Sequence, residues 1–407
     1  MTIDYTPLLS SGTVSGLRAA EAARQGTRPR LGSIDVLRGL VMIVMALDHT
    51  RDFFGSSGMN PRDVADPALF LTRWITHFCA PTFIFLAGIS AYLYGTRGRS
   101  TAELSRFLLT RGFWLIVLEF TLVRFAWSFG FGTQFFAAQV IFVIGASMVV
   151  LAALVWLPRA AVATFALAMI AGHNLADSVH AGDFANAGWI WAFLHEPKLL
   201  SLSPQMKLYV LYPLIPWVGV MAAGFVVGPQ FKRPMVDRRR FFVWLGAAVT
   251  VSFVALRLSN VYGDPAPWAP QATALSTALS VLNVEKYPPS LLYLMMTLGP
   301  GLMLLAAFET ATGRLAAWVE TFGRVPLFYY VADVVLIHAL AVAVAQAMLG
   351  DSAWLIGGSP GNKPAGWGFS LPVVYGVWML VVLTLYPICR LFADLKRRRR
   401  EWWWSYL

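Results

Sequence analysis

Long apolar stretches recur along almost the whole 407-residue chain, and they restrict its fold more than any other feature. A helix needs roughly 20 mostly apolar residues to cross a bilayer, and about ten windows of this sequence meet that condition. They are Ser33–Phe54, Phe70–Tyr94, Arg106–Trp127, Phe135–Trp156, Ala160–Leu175, Lys207–Val227, Arg240–Leu258, Ser290–Phe308, Val325–Leu349 and Leu371–Phe392. The sequence therefore predicts an all-α, polytopic integral membrane helix bundle of about ten transmembrane helices.

The composition agrees with this fold class and excludes a soluble domain. Hydrophobic residues make up 57% of the chain and charged residues 13%, whereas about 25% of the residues in soluble domains are charged. The first 30 residues are polar and basic, and the apolar window after them begins too late and runs too long for a cleaved signal peptide. We expect residues 1–31 to form a disordered cytoplasmic tail, residues 32–393 the membrane domain and residues 394–407 a basic cytoplasmic tail.

The net charge of +11 comes from lysines and arginines in short segments between the apolar windows. If the N-terminus is inside, alternate loops contain most of these residues, as the positive-inside rule requires. An even number of helices then places both termini in the cytoplasm. We interpret the basic composition as membrane topology and expect no nucleic-acid partner. Together with the Gly- and Pro-rich loops, it is compatible with a bacterial inner (plasma) membrane.

The cysteines and the remaining histidines give little indication of a metal site. Cys79 and Cys389 both fall within apolar windows, so we expect buried thiols rather than a disulfide or a zinc site. His173, His180 and His195 lie in or near a polar loop, where we expect them to be solvated. The sequence contains no metal-ligand cluster, phosphate loop or dinucleotide fingerprint, and we expect no metal cofactor.

Ionisable residues within the apolar windows are the main indication of function. Each costs about 2.5–3.5 kcal/mol at the bilayer centre, so such a side chain normally faces the bundle interior and has a partner there. The set includes Asp35, Arg38, Asp48, His49, His77, Glu119, Arg124, Arg257, Arg324, Asp333 and His338. Helical spacing places Asp35, Arg38 and His49 on one stripe, with Arg38 near the inner boundary and His49 toward the outer one.

His49 is the first candidate for an acid–base group, because it lies on this stripe and an imidazole can titrate near neutrality. The further catalytic candidates are Asp48, His338, His77 and Glu119. Two structural alternatives stay open. A buried histidine is more often a hydrogen-bonded core residue, and Asp35 with Arg38 is alternatively an ion pair that fixes helix packing.

The third and ninth windows also hold pairs of ionisable residues. Arg324 and His338 lie within roughly 40° of each other around their helix, so the ninth window, like the first, has an inner arginine and an outer histidine. Glu119 and Arg124 differ by about 140° around the third helix. We therefore expect Glu119 and Arg124 to face different partners.

Several motifs resemble a known family. The first window opens with the run SIDVLRG, from Ser33 to Gly39, and ends in Leu47-Asp48-His49. This run resembles the opening of the transmembrane acyltransferase superfamily and, more narrowly, the heparan-alpha-glucosaminide N-acetyltransferase-like membrane proteins. Later stretches that agree are APTFIFLAG from Ala80, YPLIPW from Tyr212, KYPPS from Lys286 and GRVPL from Gly323 through His338.

The resemblance implies transfer of an acyl group from cytoplasmic acetyl-CoA, or another acyl-CoA, to an acceptor beyond the membrane. His49 would then act as the base or as a transient acyl carrier. The residues that would bind the acyl-CoA are Asp35, Arg38, Arg324, Arg97 and Arg99. Those that would contact a glycan or other small-molecule acceptor are Arg124, Lys286 and Tyr287.

One feature departs from that family. Its lysosomal enzymes have their active histidine in the lumenal loop after the first membrane helix, whereas the loop Gly55–Leu69 contains no histidine here. The heparan-type acceptor is therefore not carried over. Two other functions stay open: a secondary transporter or proton-coupled exporter, for which intramembrane charges are equally expected, and a non-catalytic membrane scaffold. Lipid is an expected partner, and the sequence leaves a homodimer open.

Overall fold

The computed structural model of the chain describes residues 32–358, 361 and 363–399. The predicted N-terminal tail, residues 1–31, lies outside the described residues, as does the end of the predicted C-terminal tail from residue 400 onward. The beginning of that C-terminal tail is helical, because the last helix continues to Arg398.

The described residues are mainly helical, which confirms the predicted class. The α-helices are α1 (Gly32–Phe54), α2 (Pro67–Thr76), α3 (Cys79–Gly95), α4 (Thr101–Leu118), α5 (Arg124–Ser128), α6 (Val140–Leu154), α7 (Arg159–Gly172), α8 (Gly188–Leu194), α9 (Leu214–Val227), α10 (Met235–Ser259), α11 (Ala274–Leu282), α12 (Leu291–Ala307), α13 (Arg314–Arg324), α14 (Pro326–Leu349) and α15 (Leu371–Arg398). A π-helical segment, Glu119–Val123, joins α4 to α5.

Each of the ten predicted windows contains a helix, but in the described part of the chain only six spans are long and apolar enough to cross a membrane. They are Pro67–Gly95, Leu214–Lys232, Met235–Ser259, Leu291–Thr310, Pro326–Leu349 and Leu371–Arg398. A seventh is added if Arg159–Ala176 and Ala181–Leu194, which are bent by 105° relative to each other, form one span. The total of about ten transmembrane helices and the cytoplasmic position of both termini stay predictions.

A small sheet corrects the all-α prediction in two of the windows. Its strands are β1 (Phe135–Ala138), β2 (Lys198–Ser201) and β3 (Lys207–Val210). β3 lies in the middle, parallel to β1 and antiparallel to β2. Hydrophobicity alone does not distinguish a short apolar strand from the end of a buried helix, so both windows were extended over residues that pair as strands.

Helix α1 is enclosed by other helices. It is 23 residues long, and most of its residues are buried. Its close neighbour is α13, where Gly39 of α1 faces Gly323. A similar contact joins α4 to α6, since a Cβ on Gly112 would lie 2.6 Å from the carbonyl oxygen of Gly145. Small residues at such positions let helix backbones approach closely in membrane proteins.

The predictions about buried cysteines and solvated histidines had different outcomes. The thiols of Cys79 and Cys389 are buried, as predicted. The prediction that His173 and His195 are solvated was wrong, because both are buried. His195 Nε2 lies 3.1 Å from Asp177 Oδ1, and His173 Nε2 lies 2.8 Å from the Pro289 carbonyl oxygen. These hydrogen bonds offset the loss of water around the two rings.

Candidate active site

Two cavities lie along α1. The inner cavity, of about 510 Å³, is next to Arg38, and the outer cavity, of about 720 Å³, is next to Arg51. We name them by the predicted topology, in which Arg38 is nearer the cytoplasm. Helix α1 contributes side chains to both cavities. Of the predicted stripe, however, only Arg38 is a lining residue, because Asp35 and His49 are buried and line neither cavity.

Basic side chains surround the inner cavity. Those among its lining residues are Arg38, Arg97, Arg99, Arg111, Arg324 and Lys396. The four arginines predicted to bind acyl-CoA are therefore brought together in one place. Arg111 and Lys396 were not predicted. Arg111 lies near the start of the third apolar window and Lys396 in the predicted C-terminal tail, and both of these segments were assigned to the cytoplasmic side.

Arg38 is held at the cavity by contacts with two helices. Its guanidinium lies 3.1 Å from Asp35 Oδ1 within α1 and donates a 3.0 Å hydrogen bond to Ser90 Oγ of α3. Asp35 itself is buried and is not a lining residue. The predicted ion pair therefore exists, and it fixes an arginine that also faces the cavity.

The remainder of the inner cavity is apolar. Met42 and Met45 of α1 line it together with Leu115, Ile144 and Met148 from neighbouring helices. Methionine side chains are flexible and adapt to the shape of what they contact. The inner cavity thus combines a basic section with an apolar section.

Two aromatic side chains separate the cavities. Tyr330 of α14 lines the inner cavity and Trp127 of α5 lines the outer one. Trp127 Nε1 donates a 3.2 Å hydrogen bond to Tyr330 Oη. We call this pair the aromatic wall, because in it a lining residue of one cavity contacts a lining residue of the other.

His49 lies against the aromatic wall. Its ring centroid is 5.1 Å from that of Trp127 and 5.5 Å from that of Tyr330, and both contacts are edge-on. His49 Nδ1 lies 3.4 Å from Oδ1 of Asp333, which is fully buried in α14. This separation is longer than a good hydrogen bond, and within the described residues neither oxygen of the Asp333 carboxylate has a partner at good hydrogen-bond geometry. Burying a carboxylate is costly unless it is paired, so His49 is the partner that this site offers to Asp333.

Glu119 and Arg124 both line the outer cavity. They have different hydrogen-bond partners, as predicted. Glu119 Oε2 accepts a 2.7 Å hydrogen bond from Phe142 N, and Arg124 Nε donates a 3.0 Å hydrogen bond to Phe135 O. Their common cavity was not expected. The 140° separation assumed a regular α-helix, but the intervening π-helical segment adds residues to one turn and changes the rotation.

Further polar residues of the outer cavity were missed. They are Arg51, Asp52, Gln134, Gln139, Tyr209 and Lys363. Arg51 lies 2.5 Å from Asp48 and 3.2 Å from Asp52. Lys363 donates a 2.6 Å hydrogen bond to Gly55 O, and burial lowers the pKa of its ammonium group. Burial likewise raises the pKa of the Tyr209 phenol.

The other predicted acceptor and catalytic residues on this side form a cluster that meets the outer cavity through the Asp48–Arg51 ion pair. Asp48 accepts a 3.1 Å hydrogen bond from Thr76, and Lys286 Nζ lies 3.8 Å from its second oxygen. His77 is buried with its ring 5.4 Å from that of Tyr293, and Tyr287 Oη is 3.3 Å from Tyr212 Oη. The predicted residues Asp48, His77, Lys286 and Tyr287 line neither cavity.

His338 is enclosed in the core. Its Nδ1 lies 2.9 Å from Ala126 O and its Nε2 lies 3.1 Å from Leu355 O, while Phe129 stacks on the ring at 3.8 Å. A ring whose nitrogens both face carbonyl oxygens has no lone pair directed at a substrate. This geometry favours the structural alternative for His338.

A comparison with family models gives one match. The model described as heparan-alpha-glucosaminide N-acetyltransferase, catalytic, matches residues 30–257, which is more than half of the chain. The matched range contains His49, Arg38 and both members of the Glu119–Arg124 pair, and it ends before Asp333. No curated protein matches the chain.

Proposed function

Since this chain belongs to the heparan-alpha-glucosaminide N-acetyltransferase catalytic-domain family, we propose that it transfers an acetyl or similar small acyl group between its two cavities. The donor is a cytoplasmic acyl-CoA in the inner cavity, and the acceptor is a glycan or related small molecule in the outer cavity. The supporting observation is that His49, paired with Asp333, lies at the aromatic wall where the cavities approach each other.

The inner cavity has the chemistry that an acyl-CoA requires. Arginine guanidinium groups bind phosphate through charge-assisted, often bidentate hydrogen bonds, and CoA carries its phosphates at one end. Arg38, Arg97, Arg99 and Arg324 would hold that end. The apolar section lined by methionines suits the thin pantetheine arm, which would bring the thioester toward the aromatic wall.

His49 is placed to act as a general base. Because Nδ1 faces Asp333, Nε2 is the ring nitrogen that would be left to act on a substrate. It would take the proton from the acceptor amine or hydroxyl as that group attacks the thioester carbonyl carbon. The carbon–sulfur bond then breaks, and the CoA thiolate leaves and receives the proton from His49. Asp333 stabilises the imidazolium that forms between these steps.

The lining of the outer cavity suits an acceptor molecule that has both polar groups and a flat apolar face. Gln134 and Gln139 offer amide groups that both donate and accept hydrogen bonds. Trp127 and Tyr209 add aromatic surface with a polar edge. A sugar ring presents the same mixture of hydroxyl groups and apolar faces, which supports a glycan over an entirely apolar acceptor.

Transfer and donor binding test the proposal separately. The detergent-purified protein should be stabilised thermally by acetyl-CoA, because a ligand that binds only the folded state at 100 times its Kd adds about 2.7 kcal/mol. It should transfer radiolabelled acetyl groups to members of a panel of amino sugars and oligosaccharides, or slowly to water. His49→Ala should abolish transfer but retain the acetyl-CoA stabilisation.

The matched control is His180→Ala, since His180 is exposed and lines neither cavity. Full activity of His49→Ala would remove the assignment of the base. Absence of stabilisation by any acyl-CoA, together with substrate flux in proteoliposomes, would favour the transporter instead.

A further inference from the structure

The hydroxyl group of Tyr330 has a hydrogen that no described residue accepts. Its oxygen accepts a 3.2 Å hydrogen bond from Trp127 Nε1. Within the described residues, the hydroxyl group makes no second hydrogen bond. The side chain is only 3% exposed. A buried donor without an acceptor is costly and uncommon. Tyr330, unlike Tyr329, whose hydroxyl group also lacks an acceptor, lines a cavity from which a ligand can supply one.

The position of Tyr330 indicates where that acceptor would come from. Tyr330 lines the end of the inner cavity at the aromatic wall, and its ring centroid is 5.5 Å from that of His49. An acyl-CoA that fills the cavity from the basic section brings its thioester to this end. The carbonyl oxygen of the thioester is a hydrogen-bond acceptor, and it is the atom on which negative charge develops when the carbonyl carbon is attacked.

We propose that Tyr330 is a further catalytic residue, whose hydroxyl group donates a hydrogen bond to the thioester oxygen and stabilises the oxyanion formed during transfer. This inference rests on the proposed acyltransferase function. The acceptor's lone pair forms the new bond to the carbonyl carbon, and the electrons of the C=O double bond move to the oxygen, which Tyr330 stabilises without giving up its proton. When the carbon–sulfur bond breaks, the double bond forms again.

Trp127 strengthens this donor. Its N–H donates to the phenol oxygen, and hydrogen bonds in such a chain polarise one another in a medium of low dielectric constant. The O–H of Tyr330 is therefore a better donor than an isolated phenol. Since His49 contacts the same two rings, the base and the oxyanion donor are held on one rigid aromatic wall.

The test compares Tyr330→Phe with Tyr329→Phe. Both substitutions remove one hydroxyl group from neighbouring, buried positions of α14, but the Tyr329 hydroxyl has no hydrogen-bond partner and Tyr329 lines neither cavity. Tyr330→Phe should lower kcat by about 10²–10³-fold, the loss typical of one oxyanion donor, while the acetyl-CoA Kd from thermal shifts stays unchanged. Tyr329→Phe should keep the kcat of the unaltered protein.

Two further measurements keep the proposal testable if Tyr330→Phe does not fold. Trifluorotyrosine incorporated at position 330 retains the ring and its contacts but makes the phenol more acidic, so kcat should change while the melting temperature does not. Trp127→Phe removes the polarising N–H and should lower kcat less than Tyr330→Phe does. A trifluorotyrosine protein with unaltered kcat, or a Tyr330→Phe protein within threefold of normal kcat, would overturn the role of Tyr330.

The two levels of proposal fail differently. If the unaltered protein transfers acetyl groups and His49→Ala does not, the acyltransferase function stands whatever the Tyr330 variants show. If the unaltered protein neither binds acetyl-CoA nor transfers its acetyl group, both proposals are lost together.

Discussion

Gly39 and Gly323 face each other at the contact between α1 and α13, where a Cβ on Gly323 would lie 2.8 Å from Gly39 N. This close approach brings the end of α13 against the turn of α1 from Asp35 to Gly39, which contains Arg38. Arg38 Nη1 lies 3.5 Å from Gly323 O, and Arg324 directly follows Gly323 in the sequence. The glycine contact is thus what places Arg38 and Arg324 at one cavity.

Substituting either glycine should disturb both stability and donor binding. Gly39→Ala forces a methyl group into the backbone of α13, and overpacking of this kind costs about 1–3 kcal/mol or more. The melting temperature should fall, and the acetyl-CoA-induced shift should shrink because Arg38 and Arg324 move apart. Gly376→Ala is the control, since nothing lies within 4 Å of its added Cβ and alanine is favoured over glycine in a helix. An unchanged shift in Gly39→Ala would contradict this account.

Removing Arg38 should weaken binding of the phosphate-bearing part of the donor. Arg38→Ala is expected to raise the Kd for acetyl-CoA by about 10–100-fold, since charge-assisted hydrogen bonds contribute about 1.5–3 kcal/mol each. Binding of acetyl-pantetheine, which lacks the nucleotide phosphates, should change little. Calorimetric titration of both ligands separates the two outcomes. Arg159→Ala, at an exposed arginine outside both cavities, is the control. An equal loss of affinity for both ligands would mean that Arg38 does not bind the nucleotide phosphates.

Neutralising Asp333 should reduce turnover without unfolding the protein. In Asp333→Asn the His49 ring loses the carboxylate that stabilises its charged form, and we expect kcat to fall by about 10²–10⁴-fold with little change in KM. Because the Asp333 carboxylate is buried and poorly hydrogen-bonded, the melting temperature should be unchanged or higher. Asp351→Asn alters an exposed carboxylate and should leave both quantities alone. A normal kcat in Asp333→Asn would separate Asp333 from the chemistry.

A buried ion pair far from the aromatic wall should affect stability alone. Glu309 forms an ion pair with Arg238 and accepts a 2.9 Å hydrogen bond from Ser33, with its side chain 4% exposed. Glu309→Ala leaves the Arg238 charge without its partner and should cost about 3–5 kcal/mol. A cycle with Arg238→Ala, measured by denaturation in detergent, should give a strongly non-additive result. Additive losses would mean that the pair contributes little.

The sequence predicts the composition of the site better than its pairings. Four of the six basic residues of the inner cavity were predicted, because the positive-inside rule assigns them to one side of the membrane. Asp333 was recognised as a costly intramembrane charge, but its partner His49 belongs to a distant helix. Which helices touch is decided by tertiary contacts such as the one between Gly39 and Gly323, and a single sequence does not reveal these.

Local deviations from regular helices account for other differences. The angular argument about Glu119 and Arg124 assumed 100° for every residue, and the π-helical segment between them breaks that rule. The strands β1 and β3 were included in helical windows because both are apolar and short. Tyr330 was not among the predicted site residues, since its contact with Trp127 joins two helices that are far apart in the chain.

At the aromatic wall, a side chain of one cavity lining and a side chain of the other are joined directly by one hydrogen bond. If only an acyl group passes the wall, the nucleotide of the donor stays on its own side, and neither half of the bundle has to rock against the other. Under the proposed function, transfer would then require no open passage for small ions between the two cavities. A membrane enzyme that works in this way would modify an acceptor on the far side without discharging an ion gradient.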